Sequence, residues 1–240
     1  MWIGIAAYLT IVFVIASRTG SGNLQQVPSS FSLASAVSII VSALILFLPM
    51  MLFLIYSVRR YEKRSFQSAI TSLGLNRDGI GRSLLWAMVF AAFLFLAILL
   101  WEGVIVGLFG SGFETAQTIS SRVPQWYAVL ILGYLVLNAV LEESLGRGYM
   151  LDRLMPSHPA GLRASLVAVL GVSVLGMLYH IPEYFLSYNF SPLSALYNLV
   201  IVFLSFTFVG LGYVRSRVRN ISGPILVHFL LDAVPYLLIL

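Results

Sequence analysis

Three short stretches set ionisable side chains into otherwise apolar sequence. They are Glu142-Glu143-Ser144-Leu145-Gly146-Arg147, then His180 within Gly-Met-Leu-Tyr-His-Ile-Pro, then His228-Phe-Leu-Leu-Asp232. Paired acids, imidazoles and a His-Asp pair are the groups that activate water, move protons and stabilise developing negative charge. On one helix, Glu143 and Arg147 fall one turn apart with the acid first, the better order for an ion pair. Glu142 is turned about 100° away from that face. Its own i+4 neighbour is Gly146, which leaves room beside the carboxylate. The doublet thus divides into a structural acid, Glu143, supported by Arg147, and a free acid, Glu142. His228 and Asp232 share a helix face, so the carboxylate can orient the imidazole. His180 lies on an apolar helix that Pro182 is expected to end or kink. Each residue also has a plainer reading. A lone intramembrane histidine often only bonds helix to helix, Glu143–Arg147 reads as a structural ion pair, and His158, in a Pro-Ser-His-Pro loop, reads as solvated.

The elements that must carry these groups follow from composition. The 240 residues are 60% hydrophobic and 10% charged, against about 25% charged in ordinary soluble domains. So few charges cannot cover a globule with polar surface, and a disordered chain would be poorer in apolar residues. The fold class is therefore all-α: a polytopic transmembrane helical bundle of about seven to eight helices with an intramembrane polar cavity. Seven apolar stretches serve as candidate spans, at residues 2–16, 31–56, 83–109, 124–155, 162–185, 193–214 and 223–240. A spanning helix needs roughly 20 such residues, so the first and last are short. The stretch at 2–16 lacks a basic n-region and reads as a retained helix. Turn residues at 21–30, Pro156, Pro159 and Ser191-Pro192 mark linkers. There is no cysteine, hence no disulfide framework and no thiolate chemistry.

Of 14 basic residues, 12 fall in alternate loops. These are Arg59, Arg60, Lys63, Arg64, Arg77 and Arg82, then Arg147, Arg153 and Arg163, then Arg215, Arg217 and Arg219; only Arg18 and Arg122 fall in the others. The positive-inside rule then puts both termini outside and the basic regions in the cytoplasm. The net charge of +5 reads as membrane-surface charge, with no nucleic-acid partner. An ionisable group at mid-bilayer costs several kcal/mol unless paired or wetted, so Glu142, Glu143, Asp232, Arg147, His180 and His228 are functional candidates by default.

Taken together, Glu-Glu-x-x-x-Arg, a histidine on the next helix, and His-x-x-x-Asp near the C-terminus resemble the CAAX protease and bacteriocin-processing (Abi) family. These are intramembrane glutamic proteases that include the CAAX prenyl protease 2 enzymes. Arg147-Gly148-Tyr149 is also the usual continuation of the first motif. The second motif departs, since the family usually has phenylalanine four residues before the histidine and this chain has Gly176. The resemblance covers roughly residues 124–240, which reads as a catalytic helical core. Residues 1–123 read as N-terminal helices with a cytoplasmic basic loop. The resemblance implies Glu142 as the general base that activates a water, His180 helping to hold and polarise it, and His228 with Asp232 at the oxyanion. Donors aimed at developing charge are worth about 3–4 kcal/mol each. Because an ionised aspartate cannot donate a hydrogen bond, Asp232 is assigned to orienting His228. No cofactor is implied. The expected substrate is a membrane-anchored peptide or protein, prenylated CAAX termini among them, and the expected location is a prokaryotic cell membrane with the site facing the cytoplasm. Oligomeric state stays open.

Three rivals stand beside this reading. Glu142, His180 and His228 form a His₂Glu set of the kind that binds catalytic zinc. The polar cluster could instead hold together a non-catalytic immunity or scaffold protein. Buried Glu and His also build proton relays in transporters. Helix rise supplies a depth test. Glu142 lies about 20 Å from a helix end at Met155, His180 about 27 Å from Leu162, and His228 only about 12 Å from Asn220. Tilt or a displaced start must absorb that difference, and a fourth helix broken at Glu142 would separate the site.

Overall fold

The computed structural model describes residues 33–110, 125–155, 161–182, 184–185 and 191–237. Among these there is no strand. Seven helices follow one another: α1 (Leu33–Glu62), α2 (Phe66–Ser72), α3 (Ile80–Phe109), α4 (Gln125–Glu143), α5 (Leu162–Pro182), α6 (Pro192–Ser216) and α7 (Ser222–Leu237). In lipid, a helix satisfies its backbone polar groups within its own segment, so apolar runs of this length become helices. The boundaries carry local signals. Ser65 and Ser191 cap α2 and α6, each accepting from the backbone N–H three residues on, and Pro192 opens α6. Gly110, at φ 79°, ends α3.

Four stretches are long and apolar enough to cross a membrane: Ile80–Phe109, Ala128–Leu154, Leu162–Pro182 and Pro192–Ser216. Residues such as Leu85, Phe93, Phe95, Leu100 and Leu108 on α3 are more than half exposed, which suits a lipid-facing surface and not water. This is a helical integral membrane protein. These four stretches answer to the expected spans at 83–109, 124–155, 162–185 and 193–214; the expected spans at 31–56 and 223–240 fall on α1 and α7. The expected helix at 2–16, the turns at 21–30, and Pro156, His158 and Pro159 lie outside the described residues. The sequence reading had no counterpart for α2, whose seven residues sit within what was read as a basic loop.

α6 packs between α3 and α5; α7 packs on α3 and α4; α1 packs on α4. The α4 rod does not break at Glu143. It continues as a π-helix over Ser144–Leu151 and closes with one α turn, Asp152–Leu154. A π-helix puts more residues into each turn, so Glu142 lies nearer the end of the rod than α-helical rise implies. The start of α7 is pinned separately. Asn220 Nδ2 donates to the Asn76 carbonyl (2.7 Å), Asn76 Nδ2 to the Arg219 carbonyl (2.6 Å), and Ser83 Oγ to the Asn220 carbonyl (2.8 Å). These bonds tie the chain just before α7 to the α2–α3 connection and to the first turn of α3, and so set the height at which His228 enters the bundle.

Gly148, in the π segment, faces the Leu73 backbone carbonyl so closely that a β-carbon would overlap it. Neither partner is a flexible side-chain tip, so Gly148→Ala is expected to cost about 1–3 kcal/mol. Thermal or denaturant unfolding in detergent checks this, and an unchanged midpoint would show that α2 does not press on the segment.

Candidate active site

Glu142 and Glu143 end the α-helical part of α4, where the wider π turn begins. π segments in helices are frequent at functional sites. Arg147 Nη1 donates to Glu143 Oε1 at 2.7 Å, with the side chains only 1% and 0% exposed. Glu143 is not confined to that pair. The same Oε1 accepts from His228 Nδ1 at 2.8 Å, 85 residues away on α7. The structural acid of the sequence reading therefore also grips the third motif's histidine. Asp232 Oδ2 lies 3.3 Å from His228 Nε2, so both ring nitrogens face carboxylates. An ionised carboxylate only accepts, and this arrangement calls for an N–H at each nitrogen.

Glu142 has a partner that the sequence reading missed. Asn138, one turn earlier on α4, donates from Nδ2 to Oε1 at 3.0 Å. Its signal was available: an amide four residues before the acid, within an apolar run. The other oxygen, Oε2, lies 3.7 Å from His228 Nε2 and 3.9 Å from His180 Nε2. Both separations exceed a direct hydrogen bond and are of the length bridged by one water. His180, near the end of α5, has Nδ1 2.8 Å from its own Gly176 carbonyl. A carbonyl can only accept, so Nδ1 carries the hydrogen, and in the neutral ring Nε2 presents its lone pair toward Glu142. Helices α4, α5 and α7 thus bring all six candidate residues to one cluster.

The room expected beside Gly146 is taken. The Phe206 ring of α6 lies 3.4 Å from where a Gly146 β-carbon would stand. It also receives Arg147, whose guanidinium carbon is 4.3 Å from the ring centroid. No residue spacing pointed to Phe206. Among the described residues, no group of three or more His, Asp or Glu side chains is placed to hold a metal ion.

Residues 124–234 match the family described as type II CAAX prenyl endopeptidase Rce1-like. No curated protein and no solved structure matches the chain.

Proposed function

We propose that this chain, whose residues 124–234 match the type II CAAX prenyl endopeptidase Rce1-like family, is an intramembrane glutamic endopeptidase that cleaves a membrane-anchored protein near its C-terminus, with Glu142 as general base. The observation that carries this reading is the convergence on Glu142 Oε2 of two imidazole nitrogens from two other helices, at 3.7 and 3.9 Å. Meanwhile Glu143 is committed to Arg147 and His228.

Asn138 anchors Oε1 and leaves Oε2 facing the cluster. A water bridging Oε2 and His180 Nε2 gives its proton to Glu142 as its oxygen attacks the scissile carbonyl carbon. The carbonyl oxygen takes up the negative charge and accepts from His228 Nε2–H. Glu143 holds that ring through Nδ1, Arg147 neutralises Glu143, and Asp232 keeps the Nε2 edge oriented. Collapse of the tetrahedral species breaks the C–N bond, and Glu142 returns its proton to the leaving amine. The products are a new carboxylate and a free amine, with one water consumed. In this reading residues 124–240 form the catalytic core and residues 1–123 support it, with the basic loops at the cytoplasmic face.

The test is cleavage in ¹⁸O-water. Purified protein in detergent receives farnesylated CAAX peptides and their unmodified counterparts, with and without a strong chelator, and products are read by mass spectrometry. The expected product carries one ¹⁸O in its new carboxyl group and forms equally with chelator. Hydrolysis abolished by chelator would transfer the reading to a metalloprotease. No product from any peptide would favour the scaffold reading.

A further inference from the structure

We propose that Phe206 is a positioning residue that holds Arg147 and His180 in register, and that Gly176 is the socket its ring requires. The proposal rests on the protease reading. The Phe206 ring enters from α6 between two glycines, Gly146 on the π segment and Gly176 on α5. A β-carbon on Gly176 would lie 2.7–2.8 Å from three ring carbons, so no side chain fits there while the ring is in place. One face of the ring carries the Arg147 guanidinium at 4.3 Å, and the Phe206 backbone carbonyl accepts from Arg147 Nη2 at 3.3 Å. The His180 ring meets it edge-to-face, with centroids 6.3 Å apart at 71°. Gly176 is also the residue whose carbonyl fixes His180 Nδ1. The next residue on α6, Thr207, donates to Ser173 Oγ at 3.0 Å, almost one turn before Gly176 on α5.

A single aromatic residue therefore touches the buried ion pair, the histidine and the residue that anchors the histidine. Loss of the ring frees the guanidinium face and lets α5 shift against α6, which moves His180 Nε2 relative to Glu142. The space beside Gly176 is filled from across the interface: the ring comes from the facing helix.

Exchanging the two residues conserves the ring, which gives the test. Three proteins are compared with wild type: Phe206→Ala, Gly176→Phe, and the double exchange Gly176→Phe with Phe206→Ala. Each single change is expected to lower kcat on the best-cleaved peptide of the pool by about 100-fold, the scale of an ångström of misplacement, with KM little changed. The double exchange is expected to regain most of the loss. A second readout needs no activity. The chain has three histidines, so ¹⁵N-histidine spectra are simple, and His180 is assigned by its loss in His180→Asn. Wild type should show the Nδ1-protonated ring, Phe206→Ala a mixture of tautomers, and the double exchange a return to one. That pattern supports the positioning role even for a chain that cleaves nothing, in which case the protease reading falls alone. A His180 tautomer unchanged in Phe206→Ala overturns the proposal. So does a double exchange that restores the unfolding midpoint but neither the tautomer nor kcat, since Phe206 would then be packing only.

Discussion

Glu142→Gln is expected to lower the cleavage rate by about 10²–10⁴-fold, the range for a lost general base, while the unfolding midpoint stays near wild type. Glutamine keeps the shape of the side chain and an oxygen that accepts from Asn138 Nδ2, so the local packing survives. What it loses is the ability to take a proton at Oε2, the atom that faces both imidazoles. The direct check is the product rate for the best-cleaved peptide, beside a melt of the same preparation. A variant that cleaves as fast as wild type would remove Glu142 from the mechanism. A variant that fails to fold would show that the carboxylate holds helices together, as the scaffold reading requires.

Arg147→Met should produce the largest loss of stability. Glu143 is fully buried and Arg147 nearly so, and removing one partner of a buried ion pair strands the other charge. The expected cost is about 3–5 kcal/mol. Neutralising both partners is a different matter, because well-packed neutral replacements of buried pairs are often tolerated. Arg147→Met combined with Glu143→Gln should therefore regain much of the stability. Activity should not return with it, since the amide no longer offers His228 Nδ1 a charged acceptor. Denaturant unfolding in micelles measures the first effect, and peptide cleavage the second. If Arg147→Met were as stable as wild type, the pair would not be the buried keystone its geometry describes. If the double variant regained both stability and full activity, Glu143 would have no part in holding His228.

Much of the fold was legible in the sequence because lipid imposes a simple demand: a span must be long, apolar and internally hydrogen-bonded. That demand located α1 and α3 through α7, although α1 runs six residues past the expected end and the fourth expected span is α4 together with its π continuation. The candidate residues were legible for the converse reason. An ionisable side chain in an apolar run is costly, so Glu142, Glu143, Arg147, His180, His228 and Asp232 stood out against their surroundings. The i,i+4 contacts Glu143–Arg147 and His228–Asp232 followed from helix geometry alone and are present at 2.7 and 3.3 Å.

Contacts between helices were not legible. That Glu143 reaches His228, that the π turn and the Asn76–Asn220 bonds bring unequal depths together, and that Phe206 fills the space beside two glycines all depend on how separate rods are rotated and slid against one another. The period of a helix fixes which residues share a face. The register between two faces is set by side-chain packing and interhelical hydrogen bonds, and those join residues tens of positions apart with no spacing rule to announce them. The sequence by itself determined which ionisable groups lie within apolar runs and on which helices they fall; only the tertiary structure decided which atom of each meets which.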